Sequence, residues 1–266
     1  MDASASPHFP SGSPIDQFRL DDRVVIVTGA SSGLGRRFAR VVDAAGARVV
    51  LAARRLDRLE ELAAELRDAH VVQADLGAAD GPSAVVEAAL DAFGCIDVVV
   101  NNAGSSRVAA ALDYDRAQLA EDLAINLMAP YEIARLSARA MIEAGTGGSI
   151  VNIGSVLGAV AGGKVKVPGY AAAKGGLHQL TRELASEWAR KGIRVNALAP
   201  AWFETEMTGD EMFGTEAGTR YIVDGTPMGR AGREHELDGA LLFLASDAST
   251  YVTGHVLFVD GGWTAI

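Results

Sequence analysis

Cysteine is nearly missing from this chain of 266 residues; Cys95 is the single one. That excludes an intramolecular disulfide framework and a Cys-rich zinc site, and it fits a reducing, cytoplasmic compartment. The five histidines, His8, His70, His178, His235 and His255, show no H-E-x-x-H or comparable ligand spacing, so no metal is expected. No apolar run approaches the roughly 18 residues of a membrane helix, so no membrane partner is expected. Positive charge is in deficit: 24 Lys and Arg against 34 Asp and Glu leave a net charge of −10. With no basic block, nucleic acid is excluded as a partner, although a local basic site for one phosphate is compatible with the balance. The first residues are rich in Ser and Pro and lack a basic n-region and an apolar h-region, so they do not read as a signal peptide. Residues 1–18 are expected to form a flexible tail.

What is present is hydrophobic residue in quantity, 49% against 22% charged, which suffices for a sizeable core. From Leu20 onward strand and helix patterns alternate. Strand-like runs lie at 24–28, 48–53, 70–74, 96–100, 149–153, 193–198 and 256–259, and several of them are apolar on consecutive positions, as in parallel strands buried on both faces. Helical patterns lie between them, at 34–45, 56–68, 82–93, 115–144, 169–190 and 233–246, with Gly46, Gly94 and Gly192 where helices should stop. The expectation is an α/β fold, a Rossmann-like doubly wound parallel sheet of about seven strands, in a single domain over 19–266. Residues 201–225 break the rhythm. This long connection carries Trp202, Phe203, Met207, Met212, Phe213 and Tyr221, and it is expected to be a substrate lid; the alternative is a helical pair packed on the sheet.

Thr28-Gly29-Ala30-Ser31-Ser32-Gly33-Leu34-Gly35 follows the first strand and opens the first helix. Glycines there let the backbone approach a phosphate, and the helix N-terminus offers free N–H groups and the positive end of its dipole. The expected cofactor contacts in this turn are Gly29, Ser31, Ser32, Gly33, Leu34 and Gly35. The same residues also match G-x-S-x-G, the nucleophile elbow of serine hydrolases, for which Asp224 and His255 would be the partners. The third glycine and the first-strand position favour a nucleotide. Tyr170 and Lys174 lie four apart at the start of a helical stretch, hence on one face, and no other tyrosine has Lys at this spacing.

With Asn101-Asn102-Ala103-Gly104, Asn126, Ser155, the Tyr170–Lys174 pair and Pro200 with Thr205 following in order, the chain resembles a classical short-chain dehydrogenase/reductase from Leu20 to Trp263. The resemblance implies a nicotinamide cofactor and a small-molecule carbonyl or alcohol substrate. It implies cofactor contacts from Asp75, Leu76, Asn102, Ala103 and Gly104, from Pro200, Phe203 and Thr205, and from Tyr170 and Lys174. In dinucleotide folds the end of the second strand reads the adenosine ribose, by Asp for NAD or by Arg for a 2′-phosphate. Here Ala53 stands where NAD-preferring relatives carry Asp, and Arg54 where NADP-preferring relatives carry Arg. NADP is therefore expected, with NAD also usable because Ser32 replaces a second basic residue.

A phenol with a pKa near 10 is a sluggish base, and lowering it to about 7 takes roughly 4 kcal/mol of differential interaction. Lys174 and a positive nicotinamide are the expected sources. Tyr170 is then the general acid in reduction and the base in oxidation. Ser155 is expected to bond the substrate oxygen, and Asn126 to sit in a helix kink and position a water leading to Lys174. A non-catalytic nucleotide-binding regulator is the alternative, and such a protein should lack the Tyr–Lys pair. Two departures from the family stand out: Ser155 precedes Tyr170 by 15 positions rather than 13, and Ala201 replaces the usual Gly after Pro200. Substrate contacts are expected from 105–107, 156–157 and 202–221. Lys164 and Lys166, or Arg107, are candidates for an acidic substrate. The long helices and the terminal motif Val259-Asp260-Gly261-Gly262-Trp263 imply a homotetramer by resemblance.

Overall fold

The computed structural model describes residues 13–266, so most of the expected N-terminal tail lies outside the described residues. Ser13 caps a single 3-10 turn, Pro14–Phe18, and Leu20 is buried with its N–H on the Ala45 carbonyl at 2.8 Å. Seven strands follow: β1 (Val24–Thr28), β2 (Arg48–Ala53), β3 (Ala69–Gln73), β4 (Val98–Asn101), β5 (Gly148–Ile153), β6 (Ile193–Pro200) and β7 (Val256–Val259). They form one parallel sheet in the order β3-β2-β1-β4-β5-β6-β7. The order reverses between β1 and β4. In a sheet of this kind the crevice at that switch point, at the carboxyl ends of the strands, is the ligand site.

Consecutive apolar residues in the strands serve two layers. Val25, Val27, Val49, Leu51, Val98 and Val100 pack on one face against helices α1 (Gly33–Ala44), α2 (Leu56–Ala63) and α8 (Asp238–Ala245). Val24, Ile26, Val50, Ala52, Val99 and Ile150 pack on the other, against α3 (Gly81–Phe93), α5 (Ala129–Ala144) and α6 (Pro168–Trp188). All five residues of β1 are buried, which is why no polar alternation marks it.

Three expected helices differ in detail. The pattern at 56–68 gives a helix only to Ala63, because the next residues are drawn to α1: Glu65 pairs with Arg36 and Arg40, and the Arg67 N–H reaches the Asp43 carboxylate at 3.0 Å. The pattern at 115–144 is broken by a π turn, Ala124–Met128, between α4 (Arg116–Leu123) and α5. Pro130 has no N–H to donate, and the Ala129 N–H closes the wider ring on the Ala124 carbonyl. The pattern at 233–246 begins as a 3-10 turn, Glu234–Leu237, before α8.

Residues 201–225 hold a π turn, Gly209–Phe213, and α7 (Glu216–Gly225). Trp202, Met212 and Ile222 pack with Val156, Leu157 and Val167 in a cluster apart from the two sheet layers. Trp202, Tyr221 and Trp263 stack edge to face at 5.4–5.8 Å. The connection thus leans on the loop that precedes Tyr170, where both a lid and a packed helical pair remain compatible with its position.

Candidate active site

The glycine turn is shaped by what it must clear. Gly29 (φ +68°) and Gly33 (φ +49°) occupy the left-handed region. A Cβ on Gly29 would stand 2.8 Å from Asn102 Nδ2, and one on Gly35 would overlap the Gly29 carbonyl and approach the same amide to 2.5 Å. The turn is fixed to β4 by Thr28, whose Oγ1 accepts the N–H groups of Asn102 and Ala103 at 2.9 Å, while Asn102 Nδ2 donates to the Thr28 carbonyl at 2.8 Å. Ser32 is the N-cap of α1 and gives it no side-chain bond. The first-turn N–H groups therefore face the crevice without a side-chain acceptor from their cap.

Around this turn lies a cavity of about 790 Å³. Every expected catalytic and cofactor-binding residue except Asn126 lines it; of the expected substrate segments it takes Ser105, Ser106, Phe203 and 205–208, but not Arg107, Val156, Leu157, Lys164 or Lys166. Asn126 is fully buried in the π turn: its Nδ2 donates to the carbonyls of Ser105 (2.8 Å) and Asp122 (3.0 Å), and its Oδ1 accepts the Ser105 N–H at 3.3 Å. It is a brace for the loop after β4. Its Oδ1 also lies where a Cβ on Gly104 would be, 2.6 Å away, and that same Cβ would be 3.8 Å from Lys174 Nζ. Leu76 is buried, and Asp75 is exposed and holds the Gly77 N–H in a tight turn at 3.0 Å. The N-cap of α3 is Asp80, not Asp75. Phe203 lines the cavity but packs its ring on Gly232, whose Cβ, if present, would collide with it. Thr205 sits over the turn, 3.3 Å from where a Gly33 Cβ would stand.

The end of β5 and the first turns of α6 bring three polar side chains together. Ser155, 7% exposed, accepts the Leu157 N–H at 3.1 Å as cap of a short 3-10 turn. Lys174, 3% exposed, donates to the Ile153 carbonyl at 2.7 Å, and its Nζ stands 5.5 Å from the centre of the Tyr170 ring. Burial pushes the Tyr170 phenol up to about 12, against the polar influence of Ser155, which favours the phenolate. Burial also pushes Lys174 down to about 8. Desolvation thus outweighs the expected help from Lys174, and Tyr170 is a phenol at neutral pH. A group in this state can donate a proton to a developing alkoxide, and Ser155 can bond the same oxygen.

The two extra residues between Ser155 and Tyr170 do not part them. The loop's length is taken up in a turn at 162–165, closed by the Val165 N–H on the Gly162 carbonyl, which also accepts from the Tyr221 hydroxyl at 2.8 Å. Lys166 donates to the Gly163 carbonyl and Arg107 pairs with Glu121 at 2.8 Å. Ser31 Oγ, the nucleophile a hydrolase would need, accepts from Arg55 and has no histidine to donate to among the described residues. Arg55, Gly77, Glu121 and Ile125 line the cavity outside every expected set, whereas Ser106, Glu206 and Thr208 fall within the segments expected to meet the substrate. Arg55 was legible as a neighbour of Arg54; Glu206 lies far along the chain and carries no motif.

The residues present fit an adenine dinucleotide: a glycine cradle that no Cβ can enter, an open helix N-terminus, and Arg54, which has no ion pair among the described residues. A second cavity, about 530 Å³, lies at the amino ends of the strands beside Arg23, Asp97 and Arg194, away from the switch point.

A family model described as Enoyl-(Acyl carrier protein) reductase matches residues 29–264. The galactitol 2-dehydrogenase (L-tagatose-forming) of Cereibacter sphaeroides is 42% identical over 254 residues, 93% of this chain and 97% of that protein. The gluconate 5-dehydrogenase of Gluconobacter oxydans is 37% identical, over 94% of this chain and 97% of its own. Among solved structures, a gluconate 5-dehydrogenase from Burkholderia cenocepacia in complex with NADP and tartrate superposes with a TM-score of 0.88 at 35% identity, covering 96% of this chain and all of that one. A short-chain type dehydrogenase/reductase from Mycobacterium marinum gives 0.91 at 33%, with the same coverage.

Proposed function

The chain belongs to the short-chain dehydrogenase/reductase family of NAD(P)-dependent oxidoreductases, and we propose that it interconverts a secondary alcohol and a ketone with NADP(H), using Tyr170 as general acid and base. The observation that carries this reading is the joint placement of Ser155, Tyr170 and Lys174 with the glycine turn around one cavity. A non-catalytic nucleotide binder has no use for a buried lysine beside a tyrosine in a cavity that Ser155 also lines.

The nicotinamide supplies or accepts the hydride when bound. The chain does the rest. Ser155 orients the substrate oxygen and stabilises charge on it. Tyr170 gives its hydroxyl proton to that oxygen in reduction, so the protein is a ketoreductase in that direction, and the phenolate takes a proton back in oxidation. Lys174 holds the ribose side of the cofactor and keeps positive charge beside the ring. Asn126 fixes the loop of Gly104 and Ser105 and positions the route to Lys174. Gly29, Ser31, Ser32, Gly33, Leu34 and Gly35 hold the pyrophosphate side. Asp75, Leu76 and the residues 102–104 hold the adenine and inner face, and Pro200, Phe203 and Thr205 the nicotinamide side. Arg54 meets the 2′-phosphate, since a guanidinium fork suits it and no carboxylate among the described residues pairs with it.

For the substrate, the relatives act on a polyol and on sugar acids, and polar Ser105, Ser106, Glu121 and Thr208 line the cavity with Ile125 and Met207. A polyhydroxylated chain, a polyol or an aldonate, is the substrate class this lining suits. Residues 201–225 act as the lid over it. The single thiol suits a reducing cytoplasm, and the assembly is a homotetramer.

The test is nicotinamide absorbance with a panel of polyols, aldonates, their keto forms, simple ketones and acyl thioesters, each with NADP(H) and NAD(H). The expected result is turnover of polyols or aldonates with NADP(H) at least tenfold more efficient. Turnover confined to acyl thioesters would contradict the substrate class, and an NAD(H) preference would contradict the role of Arg54.

A further inference from the structure

The strap that follows β6 crosses the cavity and brings a carboxylate to the end of β2. Arg55 Nη2 pairs with Glu206 Oε2 at 2.9 Å, and the same guanidinium edge donates to Ser31 Oγ from Nε (3.2 Å) and Nη2 (3.1 Å). Arg55 first, with Ser32 nearby, holds the Glu206 carboxyl below the usual carboxylate range. Ser31, Ser32, Arg54, Arg55 and Glu206 all line the one cavity. The two arginines that could receive an anion at this corner therefore differ: Arg54 is without a carboxylate partner among the described residues, while Arg55 already has one, supplied by the chain itself.

We propose that Glu206 is a selectivity residue, which competes with the 2′-phosphate of the dinucleotide for Arg55 and so narrows the preference for NADP(H) over NAD(H). This rests on the reading that the cavity takes NADP(H) with Arg54 at the phosphate. One edge of a guanidinium serves one fork-shaped anion at a time. A 2′-phosphate arriving beside Arg54 meets an Arg55 whose edge is taken and a carboxylate of like charge beside it. A 2′-hydroxyl meets neither cost. The pair is half exposed, 44% and 55%, so its strength is that of a surface ion pair and the effect is a few-fold one.

The test is titration calorimetry of the full chain with adenosine 2′,5′-bisphosphate and with 5′-AMP, which differ only in the 2′-phosphate. Glu206→Gln is expected to tighten the bisphosphate about three- to fivefold and to leave 5′-AMP within about twofold. In an Arg55→Gln background the same substitution is expected to tighten the bisphosphate less, because only the like-charge repulsion is then relieved; an equal gain in both backgrounds would show that Glu206 does not act through Arg55. A Glu206→Gln variant that binds the bisphosphate no better, or tightens both ligands equally, overturns the inference. If Arg54→Gln still weakens the bisphosphate in that case, the NADP(H) reading stands and only the role of Glu206 falls. If the wild type does not distinguish the two ligands at all, the NADP(H) reading falls and the inference with it.

Discussion

Lys174 shows how a single buried charge sets conditions for the whole protein. It reaches its carbonyl partner with almost no exposure, and burial lowers its pKa from 10.5 to about 8. An unfolded lysine binds its proton as pH falls through about 10.5, the folded one only near 8. Between those values the unfolded state holds more protons, so stability rises with pH there; below them the cost is constant at about 3 kcal/mol. In Lys174→Met the nucleotide-free protein should lose this slope. Urea unfolding across that pH window is expected to show the wild type gaining about 3 kcal/mol relative to the variant; parallel profiles would mean that Lys174 is not desolvated. The pairing of Tyr170 with Lys174 was legible from a four-residue spacing. The sign of the Tyr170 shift was not, because desolvation depends on what covers the ring, and no spacing encodes that.

At the scale of elements, the turn between β1 and α1 carries the steepest constraint. A methyl group on Gly35 would overlap the Gly29 carbonyl, which is backbone and cannot step aside. Gly35→Ala is expected to weaken 5′-AMP at least tenfold by calorimetry and to lower the melting temperature by several degrees; unchanged binding and melting would show that the turn is not built as described. Strand identity was most readable where both faces are covered, as in β1 and β2, whose apolar residues fall on consecutive positions. Helix ends at Gly94 and Gly192 were readable from glycine alone, and both are left-handed. The early end of α2 was not, since it depends on Arg36, Arg40 and Asp43 from another helix. The expected kink at Asn126 is a full π turn, and Pro130, not Asn126, supplies the sequence signal for it.

For the molecule as a whole, the sheet order puts the glycine turn, the end of β5 and the start of α6 at one rim, and the strap with Glu206 closes over it. The outer side of α4, the π turn and α5 leaves Leu119, Met128 and Ile142 exposed at 37–55%, which is where apolar surface in a tetramer would be covered. Light scattering is expected to give four times the 27.7 kDa chain mass; a monomer at micromolar concentration would contradict the proposed assembly. The central claim is that Tyr170 moves the proton. The most direct measurement compares wild type with Tyr170→Phe, reading NADPH oxidation with the best keto substrate alongside 5′-AMP affinity. Turnover should fall by about 10²- to 10⁴-fold with nucleotide affinity within about twofold. Undiminished turnover in the phenylalanine variant would contradict the account, because no other group at that position then supplies the proton.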